Sequence, residues 1–179
     1  MKVIKHLLFS LLLIISCNEA MKAQGLRGGY NFSSVSTGEL PESTSSNNGF
    51  YVGLYKEFPF LLKDLLYVVP ELQYSKQGFS TGGNDISLDY INVPVLAKIY
   101  VVKILSFETG PQFGFKVGDS GSNNFSYNTF DPAWAAGMAI NLPFRVSISG
   151  RYIGSFNEVV KDYNAKNKTF QLGLSFRFK

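Results

Sequence analysis

The stretch Thr169-Phe-Gln-Leu-Gly-Leu-Ser-Phe-Arg-Phe-Lys179 alternates without a break. Phe170, Leu172, Leu174, Phe176 and Phe178 are apolar, and Gln171, Gly173, Ser175 and Arg177 between them are small or polar. A period of two puts the two sets on opposite faces of a β-strand. A run of about 10 such residues is long enough to cross a bilayer as a tilted strand.

Working outward from it, the same pattern recurs seven times upstream. Strands are expected at Gln24–Val35, from Gly49 to Phe58, and at Leu65–Ser75, Leu88–Val102, Leu105–Val117, Phe130–Leu142 and Phe144–Ser155. The connections alternate in kind. Ser36–Asn48, Lys76–Ser87, Gly118–Thr129 and Asn157–Lys168 are long and rich in Ser, Gly, Asn or charge. Those at Pro59–Asp64, Lys103 and Pro143 are short. Outer-membrane barrels have this rhythm: short periplasmic turns, long outer loops and an even strand count. The fold expected is therefore all-β, an eight-stranded antiparallel up-and-down transmembrane β-barrel formed by residues 24–179. The alternative with the same strand count is a soluble, lipocalin-like periplasmic ligand-binding barrel, which would turn its apolar face inward.

Composition agrees with a strand-built span. Only 17% of residues are charged while 15% are aromatic, and beyond the N-terminus no run approaches the ~20 apolar residues of a membrane helix. The formal charge of +4 partly reflects Lys2, Lys5 and Lys22, and the remainder holds no dense Lys/Arg cluster, so no nucleic-acid partner is expected. Two aromatic bands are expected where a barrel meets the headgroups. Phe58, Phe60, Phe107, Phe144, Phe176 and Phe178 fall near the short-turn end, and Phe32, Phe50, Tyr74, Trp134, Tyr152 and Phe170 nearer the other.

Residues 1–23 read as a signal peptide, with Lys2, Lys5 and His6 ahead of an apolar centre from Leu7 to Ile15 and mostly small or polar residues up to Ala23. Export to the outer membrane follows. Ile14-Ile-Ser-Cys17 also resembles a lipobox, which makes acylation at Cys17 the alternative to cleavage after Ala23. Cys17 is the only cysteine and His6 the only histidine. A chain cut after Ala23 therefore has no disulfide, no Cys/His zinc site and no His-based nucleophile system. No metal, cofactor or catalytic residue is expected.

The polar faces place Arg27, Lys98, Lys116, Arg145, Arg151 and Arg177 inward with Glu57, Glu71 and Glu108. An eight-stranded barrel is only wide enough for side chains to fill it, and an unpaired buried charge costs several kcal/mol. These ions are read as a structural network centred on Glu71 and Glu108. Beside that stands a functional reading in which the cationic excess binds an anion or the two carboxylates act as acid and base. Pro70, Pro94 and Pro111 interrupt strands, where bulges or unpaired partner carbonyls are expected.

Gly25-Leu-Arg-Gly-Gly-Tyr-Asn-Phe-Ser33, Pro70-Glu-Leu-Gln-Tyr74, Tyr90-Ile-Asn-Val-Pro94 with Lys98, Gly110-Pro-Gln-Phe-Gly114 and Gly150-Arg-Tyr152 occur in order. In this ordered set the chain resembles the small outer-membrane β-barrel proteins of Gram-negative bacteria, the porin-like family that includes PorT-like proteins. The resemblance implies an integral barrel in contact with outer-membrane lipid, whose last strand is handled by the barrel-assembly machinery even though Phe178 precedes Lys179. It specifies no task. A non-enzymatic role in envelope structure, surface contact or secretion is expected. Phe79, Phe125, Tyr127, Phe156 and Tyr163 in the long connections are candidate contacts for a surface or secretion-system partner. An enzyme acting on lipids would need a polar catalytic cluster at the barrel rim, which a chain without histidine is poorly equipped to build.

Overall fold

The computed structural model describes residues 23–36, 45–60, 65–81, 84–120, 129–160 and 165–178. Its strands are β1 (Gly25–Ser36), β2 (Ser45–Tyr55), β3 (Phe58–Pro59), β4 (Leu66–Thr81), β5 (Asn84–Val102), β6 (Leu105–Ser120), β7 (Phe130–Asn141), β8 (Val146–Val160) and β9 (Ala165–Arg177). All pairings are antiparallel, and β1 meets both β9 and β2 while β2 also meets β4. The sheet therefore closes on itself. β3 resumes β2 after a break at Lys56-Glu57 and lies against the same β4. Counting the two pieces as one, the barrel has eight staves.

The alternation read in the sequence sets the two surfaces. Along β9, Phe170, Leu172, Leu174 and Phe176 are exposed while Gln171, Gly173 and Ser175 are buried. The other staves behave alike: Leu26, Phe50, Val52, Leu72, Ile99, Phe107, Met138, Ile140 and Ile148 face out, and Arg27, Asn31, Glu71, Gln73, Asn92, Glu108 and Arg151 face in. A soluble barrel has the opposite polarity, and soluble monomers rarely expose apolar patches beyond a few hundred Å². This inside-out arrangement overturns the lipocalin-like alternative and requires lipid around the wall.

The outward Trp134 and Thr109 are satisfied within the wall, as an apolar solvent demands. Trp134 Nε1 donates to Thr109 Oγ1 at 2.9 Å, and that hydroxyl donates to the Ala135 carbonyl at 3.0 Å. Exposed rings gather into pairs, Phe32 with Phe170, Phe50 with Tyr74 and Phe130 with both Phe113 and Phe115, and Phe176 lies against Phe178 beyond the aliphatic stretch of β9.

Two expectations change, and the one for the prolines narrows to the second of its two forms. The stretches read as long loops are partly strand: β4 and β5 stay paired to Thr81↔Asn84, and β8 and β9 to Val160↔Ala165. Ladder bonds need only backbone, so a Ser- and Gly-rich ribbon continues beyond the apolar belt, where no lipid imposes an alternating pattern. At the prolines the outcome is lost pairing with the partner carbonyls and not a bulge. Pairing lapses where Glu71-Leu72 faces Val93-Pro94 and where Val95-Leu96 faces Gly110-Pro111, but the register on either side is unchanged. The missing N–H groups are thus absorbed as lost ladder bonds. Finally, Phe144 and Arg145 are not the start of a strand. Both have positive φ, 64° and 65°, and they form the tight turn between β7 and β8. Residues 1–22, which hold Cys17 and nearly all of the stretch expected to be a signal peptide, lie outside the described residues, as do Phe125, Tyr127, Tyr163 and the side chain of Phe79.

Candidate functional site

Inside the wall, the lumen is filled in layers, because inward side chains from alternate staves meet at one level. Near its middle stand Arg27 on β1, Arg151 on β8, Glu108 on β6 and Glu71 on β4, which occupy every second stave around the barrel. In this order Arg27 faces Glu108 across the diameter and Arg151 faces Glu71. Arg27 spans the lumen with a fork, Nη1 to Glu108 Oε1 at 2.9 Å and Nη2 to Oε2 at 3.2 Å. Arg151 makes the crossing fork, Nη1 to Glu71 Oε2 at 3.1 Å and Nη2 to Oε1 at 3.0 Å. Neighbours are also joined, Arg27 to Glu71 at 2.7 Å and Arg151 to Glu108 at 2.7 Å. The four side chains are at most 2% exposed.

Two positive and two negative charges cancel in this knot. Bidentate Arg–carboxylate geometry supplies the hydrogen bonds that make so deep a burial tolerable. Gln73 Nε2 adds a donor to Glu71 Oε2 at 2.6 Å, and the Arg27 guanidinium lies 5.4 Å from the centre of the Tyr55 ring. Beside it, Tyr55, Val69, Leu96, Ala133, Ala135 and Ile153 form a small apolar cluster. Toward the long-connection end come amides and hydroxyls: Asn31 Nδ2 donates to Ser75 Oγ at 2.9 Å, Gln171 Nε2 to Asn31 Oδ1 at 3.0 Å, and Asn167 Nδ2 to Gln77 Oε1 at 2.6 Å. Glycine makes the space. Gly29 and Gly173 are cross-strand partners, and a Cβ on Gly173 would strike the Tyr51 hydroxyl that fills the lumen there.

A second ionic layer lies toward the short turns. Glu57, at the break between β2 and β3, accepts from Lys98 Nζ at 2.8 Å, from Arg177 Nη2 at 2.8 Å and from the Tyr100 hydroxyl at 3.0 Å. Tyr100 and Tyr67 pack edge to face with centroids 5.4 Å apart. Glu57, Tyr67, Tyr100, Val102, Lys103 and Arg177 line a cavity of about 370 Å³ open to that end.

Of the eight residues proposed from the sequence for the lumen network, the structure therefore brings Arg27, Glu71, Glu108 and Arg151 together and groups Lys98 with Arg177 around Glu57 instead. Lys116 keeps the inward parity but stands eight residues beyond Glu108, about 27 Å along an extended strand. It pairs with Asp119 at 2.8 Å. Arg145 leaves the lumen altogether: the left-handed turn directs it outside, where Nη1 donates to the Phe178 carbonyl at 2.8 Å. The tyrosines were the missed residues. Tyr51, Tyr55 and Tyr100 share the parity of the inward ions, which is the signal that marks them.

The closed barrel has known counterparts in fold. The attachment invasion locus protein Ail of Yersinia pestis superposes with a TM-score of 0.56 at 18% identity, covering 86% of this chain and 97% of Ail. Neisserial surface protein A superposes with a TM-score of 0.57 at 12% identity, covering 86% and 96%. At such identities the likeness is one of fold. No curated protein sequence matches the chain. Its residues 22–179, the whole barrel, match the outer membrane protein β-barrel domain family, and the chain belongs to that family.

Proposed function

We propose that this outer-membrane barrel is non-enzymatic and non-conducting, and that it acts as a rigid membrane scaffold for the connections at its long-connection end. The observation that carries this reading is the four-charge knot of Arg27, Glu71, Glu108 and Arg151, which braces the lumen across two diameters and pairs each of its charges with two of opposite sign. Acid-base work needs a carboxyl within reach of a substrate, and Glu71 and Glu108 are sealed behind arginines. A plugged barrel leaves its rims as the working surface. Phe156, exposed on β8, remains a candidate contact there. Ail, which shares the fold, has also been captured with the heparin analogue sucrose octasulfate.

Planar-bilayer recording of the purified barrel tests the plug, and a silent membrane is the expected result. Stable ion conductance from the unaltered protein would sink the reading. The scaffold role is tested by complementing a deletion strain with a barrel whose residues 37–44 and 121–128 are replaced by Asn-Gly turns. A surface or secretion phenotype should stay uncorrected although the shortened barrel assembles; full correction would assign the role to the barrel wall itself.

A further inference from the structure

The ionic layer at the short-turn end differs from the central knot in not cancelling. One carboxylate, Glu57, stands among Lys98, Arg177 and Lys103. Lys98 alone would neutralise it, at 2.8 Å and nearly fully buried. Arg177 is a second cation on the same carboxylate and is 34% exposed. Its two hydrogen bonds, to Glu57 and to the Tyr100 hydroxyl, both use Nη2. Nη1 and Nε make no hydrogen bond among the described residues, and the side chain lines the cavity. Lys103 lies in the exposed β5–β6 turn on the cavity wall, and among the described residues nothing pairs with it.

The walls are of another kind. Tyr67 and Tyr100 meet edge to face, and Val102 completes an apolar side. At about 370 Å³ the space falls in the range of small-ligand pockets, ~300–1,000 Å³. An excess of positive charge in a concave, low-dielectric cup attracts an anion more strongly than the same charge on a flat surface. A guanidinium edge and an ammonium beside two rings suit a carboxylate or phosphate joined to an apolar body.

We propose that this cavity is a binding site for such an amphiphilic oxyanion, entering from the short-turn side, with Arg177 and Lys103 holding the anionic head and Tyr67, Tyr100 and Val102 the apolar part. Two sources share that chemistry: a free organic acid or phosphate monoester, and the headgroup of an anionic phospholipid.

The test is nuclear magnetic resonance titration of the full barrel with phenylphosphate, in maltoside micelles that contain no phosphate and in phosphatidylglycerol nanodiscs. In micelles, saturable shifts are expected at Tyr67, Tyr100 and Lys103, with benzylamine, of similar body and opposite charge, giving none. Lys103→Gln, a change in an exposed turn, should keep the heat-dependent gel shift of a folded barrel and weaken phenylphosphate binding about tenfold, the scale of one charge-assisted hydrogen bond. Arg177→Gln should weaken it further. If nanodiscs abolish the response, the lipid headgroup holds the site; if they leave it unchanged, the ligand is a free acid. Absence of saturable shifts in micelles, an equal response to benzylamine, or an unaltered affinity in Lys103→Gln would each overturn the proposal.

Discussion

Leu174 is 57% exposed at the centre of the outward face of β9, between Leu172 and Phe176. Arginine there would have to be solvated in hydrocarbon, so Leu174→Arg should cost ~2–4 kcal/mol, read as a lower urea midpoint for the barrel in vesicles. Inside, Glu108 answers both arginines of the knot. Glu108→Gln leaves two guanidinium groups with one carboxylate, and should cost about 3–5 kcal/mol, the scale of a broken buried ion pair. Pairing it with Arg151→Gln restores neutrality, and the double variant should lose clearly less than the sum of the singles in a double-mutant cycle. A third site is steric. Gly173→Val would place a Cβ against the Tyr51 hydroxyl and the Gly28 carbonyl, and overpacking of this sort costs ~1–3 kcal/mol in the same denaturation assay.

At the level of elements, the β7–β8 turn departs from what its residues prefer. Tight hairpins with positive φ at both central positions favour Asn-Gly, yet Phe144 and Arg145 occupy them. A left-handed non-glycine residue costs roughly 1–2 kcal/mol, and the exposed Arg145 bond to the Phe178 carbonyl offsets little of that. Replacing Phe144-Arg145 by Asn-Gly should therefore raise the urea midpoint. This turn also shows where sequence reading stops. Each stave was legible because lipid outside and a narrow lumen inside force period two, and the same parity placed Arg27, Glu71, Glu108 and Arg151 inward. Parity says nothing about height, so Lys98, Lys116 and Arg177 were assigned to a layer they do not share. It also runs unbroken through Phe144-Arg145-Val146, although the backbone reverses there. The polar ribbons at Gly78–Thr81 and Asn84–Ser87 lacked the pattern, since beyond the membrane neither face needs to be apolar.

For the whole molecule, polarity and closure fit one environment. The apolar belt and the satisfied Trp134 and Thr109 donors suit hydrocarbon, while the knot fills the middle of the interior with paired charge. A folded barrel of this kind should migrate differently on gels before and after boiling, and salt washing without detergent should not release it from membranes. The two ends differ, one carrying the long connections and the other the Glu57 cavity.

The seam where β1 meets β9 has a consequence in time. Gly25 lies opposite Arg177, so this pairing joins almost the two extremes of the described chain, and contacts so distant in sequence form slowly. The crossing half of the knot shares that delay, because Arg27 on β1 reaches Glu108 on β6, and Arg151 on β8 reaches Glu71 on β4, across a lumen that exists only once the sheet has closed. Until the ends meet, Arg27 can answer Glu71 across β2 and Arg151 can answer Glu108 across β7, but neither crossing fork has its partner within reach. Interactions formed after the rate-limiting step govern how fast a protein comes apart more than how fast it assembles. Arg27→Gln should accordingly speed unfolding in urea-jump experiments while leaving the insertion rate nearly unchanged, so that the central charges serve as a latch that catches only after the barrel has closed.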